Sequence, residues 1–327
     1  MPVKATEPVY LSALSPKDKK WDERRTEVDG FRDLYKGTDF DCYSSRLANC
    51  SELLVFAFQV ADTGECALKL QAARFCRVRH CPVCQWRRSL MWRAKAFRVL
   101  PKVIEEYPKS RFIFLTLTVK NCQLSELRET LTWMNKSWEL LTKRKEWPAQ
   151  GWIKSVEVTR SSDDSAHPHF HCLLMVPPSY FKGGAYLSQQ RWSELWKACL
   201  KVDYNPVVNI QVIKPPKGTL EGQEGVAMLT ALCETLKYSV KPSDILQSDD
   251  SGMSNQDWLL SLTQQLHKTR AVATGGVLKQ SMKLLEEEPD DLIHIDEDGA
   301  NEADTESPRI GFGWREKAKR YRYTETC

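Results

Sequence analysis

The strongest constraint on this chain is one run, Ala166-His167-Pro168-His169-Phe170-His171-Cys172-Leu173-Leu174-Met175-Val176. Three of the six histidines stand at alternate positions within it, and Pro177-Pro178 stops it. In a strand, side chains two apart share a face. His169 and His171 therefore project together, while Phe170 turns to the other face and into a core. Two imidazoles side by side on a rigid strand make half of a divalent-metal site. The alternative is a pair of partly buried structural histidines, but packing gives little reason for such clustering.

The flanks extend this strand into a sheet. Gly151 to Arg160 reads as a strand, and the polar Ser161–Ser165 turn feeds its end into the histidine run. The resulting antiparallel hairpin brings Glu157 alongside the histidines as a third ligand. His167 is its rival, although Pro168 turns it away. Arg111 to Val119 is a β-branched, aromatic strand with Thr116 and Thr118 on one face. Leu124 to Lys143 has helical periodicity with Ser125 as its N-cap, and Ser188 to Leu200 is a second helix. A short strand at Pro206–Ile213 follows, then helices at Val226–Val240 and from Asn255 to Thr269. This order predicts an α+β fold. Its core is an antiparallel sheet of split β-α-β, ferredoxin-like or RNA-recognition-like type, with the histidine strand central.

A second motif lies upstream. Cys76, Cys81 and Cys84 form C-x4-C-x2-C, a spacing that lets thiolates share a tetrahedral zinc. Cys66 is taken as the fourth ligand, with His80, Cys42 and Cys50 open as substitutes. A strand at Leu53–Val60 precedes this zinc element and a basic helix over Gln85–Leu100 follows it. Arg77, Arg79, Arg87, Arg88, Arg93 and Lys95 are the expected phosphate contacts. Charge is uneven: twelve Lys or Arg against two acids between Lys69 and Arg111, and eleven acids with no Lys or Arg from Glu286 to Glu306. That asymmetry suggests a nucleic-acid surface and a disordered acidic segment. Eleven cysteines without a signal peptide point to a reducing compartment. No apolar run approaches the ~20 residues that span a membrane, so a cytoplasmic protein is expected. The expected organisation is a flexible segment over 1–50, a strand, zinc knuckle and basic helix over 51–105, the sheet core over 106–272, and an acidic tail over 273–327.

One further constellation carries chemistry. Glu234, Tyr238 and Lys241 are spaced to share a helix face. A phenol with a free pKa near ~10 needs a neighbouring cation or metal to act as a nucleophile at neutral pH. Taken alone, this is also the pattern of an ordinary half-exposed tyrosine among helix charge pairs.

The threonine strand, the His167–His171 run and the Glu234–Lys241 segment occur in that order. Together they resemble the rolling-circle replication initiators of small prokaryotic plasmids, in the single-tyrosine branch of the HUH endonuclease superfamily. The resemblance covers roughly Phe112 to Lys241 and extends to the Cys76–Arg88 knuckle. It implies an HUH core and metal-dependent, site-specific nicking and strand transfer of plasmid origin DNA, single-stranded or hairpin. His169 and His171 would hold Mn²⁺ or Mg²⁺ with Glu157 or His167 as third ligand. Tyr238 would form a 5′-phosphotyrosine ester, Glu234 would activate water for the terminating cleavage, and Lys241 would orient or stabilise the centre. The free 3′-OH would prime a host polymerase, with a host helicase recruited because no G-x-x-x-x-G-K-[ST] motif occurs. The rival readings are an HUH transposase or relaxase, and a non-catalytic zinc-dependent nucleic-acid-binding regulator.

Overall fold

The computed structural model describes residues 8–60, 66–213, 240–247, 252–283 and 308–325. The chain divides into two compact units, one of Met1–Met91 with Asp291–Cys327 and one of Trp92–Asp290.

The first unit begins with helices α1 (Leu11–Leu14), α2 (Lys19–Tyr35) and α3 (Asp41–Ala48). The expectation of a flexible segment over 1–50 is therefore corrected. Within a dense run of charges, α2 spaces Trp21, Val28, Phe31 and Tyr35 along one side, and all four are buried. Strands β1 (Leu53–Val60) and β2 (Cys66–Ala73) form an antiparallel hairpin. The free edge of β1 is taken by β8 (Arg309–Arg315), which pairs in turn with β9 (Arg320–Thr324). The expected tail over 273–327 is thus also corrected, because residues 309–324 belong to this sheet. The C-terminal strands are fixed by buried polar bonds. Tyr321 N–H donates to Asp22 Oδ1 at 2.8 Å, and Lys319 Nζ donates to Asp29 Oδ2 at 2.8 Å. Asp29 also pairs with the buried Arg25 at 2.6 Å.

Helix α4 (Pro82–Glu106) runs past the expected stop at Leu100 and through Pro101. Its residues 82–91 fall in the first unit and the remainder in the second.

The second unit is built on an antiparallel sheet in the order β6-β3-β5-β4-β7. Its strands are β3 (Arg111–Thr118), β4 (Gly151–Arg160), β5 (Ala166–Val176), β6 (Val208–Val212) and β7 (Val272–Gly275). Helix α5 (Leu127–Thr142) connects β3 to β4, and α6 (Gln189–Leu200) connects β5 to β6. Each helix joins two strands that have a third inserted between them, which is the split β-α-β arrangement. The histidine strand β5 is the central one. Two details differ from expectation. Ser125 lies inside a 3-10 turn, Leu124–Glu126, that leads into α5. The edge strand β7 has too few residues to show a period. Its Gly275 is required because a Cβ there would come within 2.2 Å of Trp152, and Gly276, at φ +59°, turns the strand into the helix Gly276–Lys283.

The two faces of this sheet have different fates. On one, Leu115, Leu117, Phe170 and Leu174 pack under α5 and α6, with the Phe170 ring 6.3 Å from both Trp138 and Trp196. Full burial of each such side chain contributes about 1.5–3 kcal/mol. On the other, Phe112, Ile153, Leu173 and Met175 are covered by Ala96–Val103 of α4 and by Leu278 and Met282. That cover lies over the Arg111/Val176 end of the β3–β5 pair; the residues farther along β3 and β5 on the same face are Thr116, Thr118, His169 and His171.

Lys154 is buried on the helix-covered face. Its ammonium donates to Asn135 Oδ1 at 2.5 Å and sits 3.9 Å from the Phe170 ring. Burial pushes its pKa down to about 8. Because the folded state holds this proton less tightly than the unfolded chain, the residue's contribution to stability rises as pH climbs from about 8 towards 10.5. Lys154→Met is therefore expected to unfold at higher denaturant than the parent at pH 7, by about 1–3 kcal/mol. Urea titrations should show that advantage shrinking above pH 9.

Two candidate metal centres

The first centre forms where three segments of the first unit converge. Cys50 follows α3, Cys76 follows β2, and Cys81 and Cys84 stand at the start of α4. All four are buried, and their sulfurs lie within 4.8 Å of one another. The Cys50–Cys81, Cys50–Cys84 and Cys76–Cys84 separations are 3.5, 3.7 and 3.6 Å. A tetrahedral zinc with sulfurs at ~2.3 Å demands sulfur–sulfur edges of about 3.8 Å, so the quartet fits the ion. Backbone N–H groups of Cys76, Arg77 and Val78 donate to the sulfurs of Cys50, Cys84 and Cys76. Arg77 takes a left-handed conformation, φ 55°, to point its amide inward. Hydrogen bonds from Cys50, Cys76 and Cys81 hold the Cys84 thiol far below its ordinary range, while burial pushes Cys81 up.

Cys50 thus takes the position expected of Cys66. The reason lies in the hairpin. Ser51 N–H donates to Arg74 O, so the start of β1 meets the end of β2 beside Cys76. Cys66 pairs with Val60 at the opposite end, about seven residues or ~23 Å along the strand. Of the other substitutes, Cys42 is exposed. His80 is buried outside the quartet, with neither ring nitrogen hydrogen-bonded among the described residues. Burial, with Arg79 and Arg88 nearby, pushes its pKa down to about 3, so it stays neutral.

The expected phosphate contacts divide. Arg77 is exposed, and Arg79, Arg88, Arg93 and Lys95 are half-buried. Arg87 is a correction: it is buried, with its guanidinium 5.5 Å from the Trp21 ring and 5.7 Å from the Trp86 ring. Helix periodicity aims it inward at two indoles, where a cation–π contact replaces solvent.

The second centre lies on the β4–β5 hairpin of the second unit. The pairing sets Glu157 opposite His169, and His169 opposite Thr118 on the other side. Glu157 Oε2 stands 2.7 Å from His171 Nε2 and 3.3 Å from His169 Nε2. The other ring nitrogens are engaged behind. Nδ1 of His169 lies 3.3 Å from His167 O, and Nδ1 of His171 lies 3.3 Å from Thr116 Oγ1. Such bonds turn each Nε2 towards the carboxylate and leave it able to offer a lone pair. Phe114 stacks on His171 at 5.5 Å and limits its rotation. Burial alone would raise the Glu157 carboxyl, but the two imidazoles that face it hold it well below the usual carboxylate range.

These three ligand atoms lie within 4.8 Å of one another, and the set of two nitrogens and an oxygen suits Mn²⁺ better than Mg²⁺, which favours oxygen. His167 stands outside the group; its Nδ1 is 2.7 Å from Asn121 Oδ1. Lys241, expected on a helix face, instead has extended backbone (φ -75°, ψ 142°) ahead of Pro242, and it reaches the site with its Nζ 3.2 Å from Glu157 Oε1. Glu234 and Tyr238 lie outside the described residues. Asp244, which sequence reasoning missed, follows in the short helix Pro242–Ile245. Burial raises its carboxyl against the pull of Lys241, and Glu157 and His169 also act on it. Asp244 has no spacing motif to find it by.

Among the described residues, no helix is long and apolar enough to cross a membrane. No solved structure matches the chain. A family model described as "Replication protein" matches residues 67–322. The chain is 32% identical to "Protein rep" of Streptococcus pneumoniae serotype 2, over 93% of this chain and 92% of that one. It is 35% identical to "Protein rep" of Lactiplantibacillus plantarum, over 91% and 93%. A Staphylococcus aureus "Replication protein" is 34% identical, over 67% of this chain and 94% of its own length. With this similarity extending along most of both chains, the chain belongs to the replication protein family, as a plasmid Rep initiator of the rolling-circle kind.

Proposed function

We propose that this protein initiates plasmid rolling-circle replication by nicking origin DNA through an HUH-type centre. The observation that carries the reading is the convergence of Glu157, His169 and His171 on adjacent strands, each imidazole braced through its Nδ1. Glu157, His169 and His171 would hold the divalent ion, and the ion when bound supplies a Lewis acid for the scissile phosphate. Thr116 and Phe114 keep the His171 ring aligned. Lys241 neutralises Glu157 from the solvent side and offers a cation to the phosphate.

Tyr238 is the proposed nucleophile. Its Oη–P bond forms as the P–O3′ bond breaks; the phenol gives up its proton and the 3′ oxygen takes one, leaving a 5′-phosphotyrosine and a free 3′-OH. Glu234 would activate water to end the cycle. The 3′-OH would then prime a host polymerase, with a host helicase opening the duplex. Zinc at Cys50, Cys76, Cys81 and Cys84 would staple the first unit, with Arg77 and Arg88 presented to the phosphate backbone.

The test is covalent capture. Labelled single-stranded origin DNA with Mn²⁺ is expected to give a protein–DNA adduct on a denaturing gel. The adduct should disappear in Tyr238→Phe, whereas DNA binding should persist. An adduct that survives in Tyr238→Phe moves the nucleophile to another tyrosine. Binding without any adduct in the parent protein favours the non-catalytic regulator instead.

A further inference from the structure

Arg160, the last residue of β4, has a side chain with 0% exposure. Its guanidinium is used in several directions. Nε donates to Asp164 Oδ1 at 2.8 Å, Nη1 to Asn255 Oδ1 at 2.8 Å, and Nη2 to the Met253 carbonyl at 2.5 Å. Its plane lies 5.4 Å from the Trp258 ring. The partners are tied to one another as well. Met253 N–H donates to Asp164 Oδ2 at 2.8 Å, Trp258 Nε1–H to Asp164 O at 3.2 Å, and Asn255 Nδ2–H to Gln247 O at 2.8 Å. Asp164 holds a left-handed backbone, φ 62°, in the β4–β5 turn, a conformation that a non-glycine residue keeps only when its surroundings fix it.

A buried guanidinium is a costly way to hold two segments together, and apolar packing would do so at least as well. What the planar fork adds is one geometry. The geometry it fixes concerns residues 240–247 and 252–258. Near their start, Val240 and Ile245 are buried and Lys241 reaches Glu157 Oε1 at 3.2 Å. Towards their end, Gln247, Met253 and Asn255 are bound through Arg160. Both attachments use the last four residues of β4, Glu157 and Arg160 being three residues or ~10 Å apart and so on opposite faces of the strand.

We propose that Arg160 is a positioning residue that docks residues 240–247 and 252–258 onto the end of β4, through Asn255 and its bond to Gln247, and so holds Lys241 against Glu157. For its catalytic consequence, though not for the docking itself, the inference rests on the nicking function proposed above.

The experiment compares the full-length parent with Arg160→Lys and with Asn255→Ala, which removes the Gln247 tie and one hydrogen bond of Arg160 but leaves Asp164 as its counter-ion. Amide hydrogen exchange is followed for peptides covering 240–247 and 166–176. Mn²⁺ affinity and single-turnover adduct formation are measured over a range of oligonucleotide concentrations. In Arg160→Lys, exchange over 240–247 is expected to quicken about tenfold or more while 166–176 is unchanged. The adduct rate at saturating DNA should fall about 10- to 100-fold. The half-saturating DNA concentration and the Mn²⁺ affinity should stay within about threefold, because the metal ligands and the phosphate contacts proposed for Arg77 and Arg88 are intact. Asn255→Ala should change the same quantities in the same direction by less. Unchanged exchange over 240–247 in both variants would overturn the docking. Faster exchange with a parental adduct rate would overturn the link to Lys241. A parent that forms no adduct defeats the nicking reading alone, and the exchange measurements still decide the docking.

Discussion

Cys50→Ser protein is expected to purify without zinc and to lose cooperative folding of its first unit, whereas Cys66→Ser should keep both. Elemental analysis of the parent should give about one zinc per chain. A metal that binds only the folded arrangement adds its binding free energy to stability, on the order of 10 kcal/mol for structural zinc. Removing one of four thiolates forfeits much of that, and the loss should exceed about 3 kcal/mol. The effect should spread beyond the knuckle. Ser51, next to Cys50, accepts from the buried Tyr321 hydroxyl at its carbonyl and at Oγ, 2.5 and 2.9 Å away. Tyr321 is in β9, so loosening Cys50 should also release the C-terminal strands. Limited proteolysis should therefore cut near residues 309–324 in Cys50→Ser and in chelator-treated parent, but not in Cys66→Ser. Zinc retained in Cys50→Ser, or lost in Cys66→Ser, would reverse the ligand assignment.

Glu157→Gln is the second large effect. The side chain keeps its shape but loses its charge, and three neighbours depend on that charge: His169, His171 and Lys241. Mn²⁺ affinity should fall at least about tenfold, because an amide oxygen is a weaker ligand than a carboxylate. Adduct formation should fall by about three orders of magnitude, the scale expected when the group stabilising charge on a reacting phosphate is withdrawn. Binding to single-stranded DNA should change little, or strengthen slightly, since one negative charge has left the site near the phosphate. Thermal stability should fall, because Glu157 is buried and its depressed carboxyl pKa means that the charged form favours the fold. A parental nicking rate in Glu157→Gln would remove this residue from the metal site and return His167 to consideration.

These experiments bear on residues that differed in how they could be read. His169 and His171 were legible because the two-residue period of a strand is local: their common face follows from spacing alone. Glu157 was within reach because a short polar turn joins its strand to theirs and fixes the register. Cys76, Cys81 and Cys84 announced themselves by a spacing that fits within one turn and a helix start. Cys50 did not, because it stands 26 residues before Cys76 and carries no spacing signature. Arg87 read as one more cation on a basic helix; only the approach of Trp21 from α2 reveals that it faces inward. Arg160 had no motif at all. Its contacts arise from Met253, Asn255 and Trp258, about a hundred residues further along the chain.

What the sequence by itself determined was the central sheet with its histidine strand, and the identities of the ligands that lie close together along the chain. Hydrophobic period, turn chemistry and short ligand spacings are properties of a few consecutive residues, so they survive without a partner. Tertiary structure alone decided which cysteine completes the quartet of sulfurs, that residues 309–324 return to pair with β1, and that the buried Arg160 meets Met253 and Asn255. Each of these is a closure over tens or hundreds of residues, and its energy comes from burial and pairing that exist only once the distant segments have met.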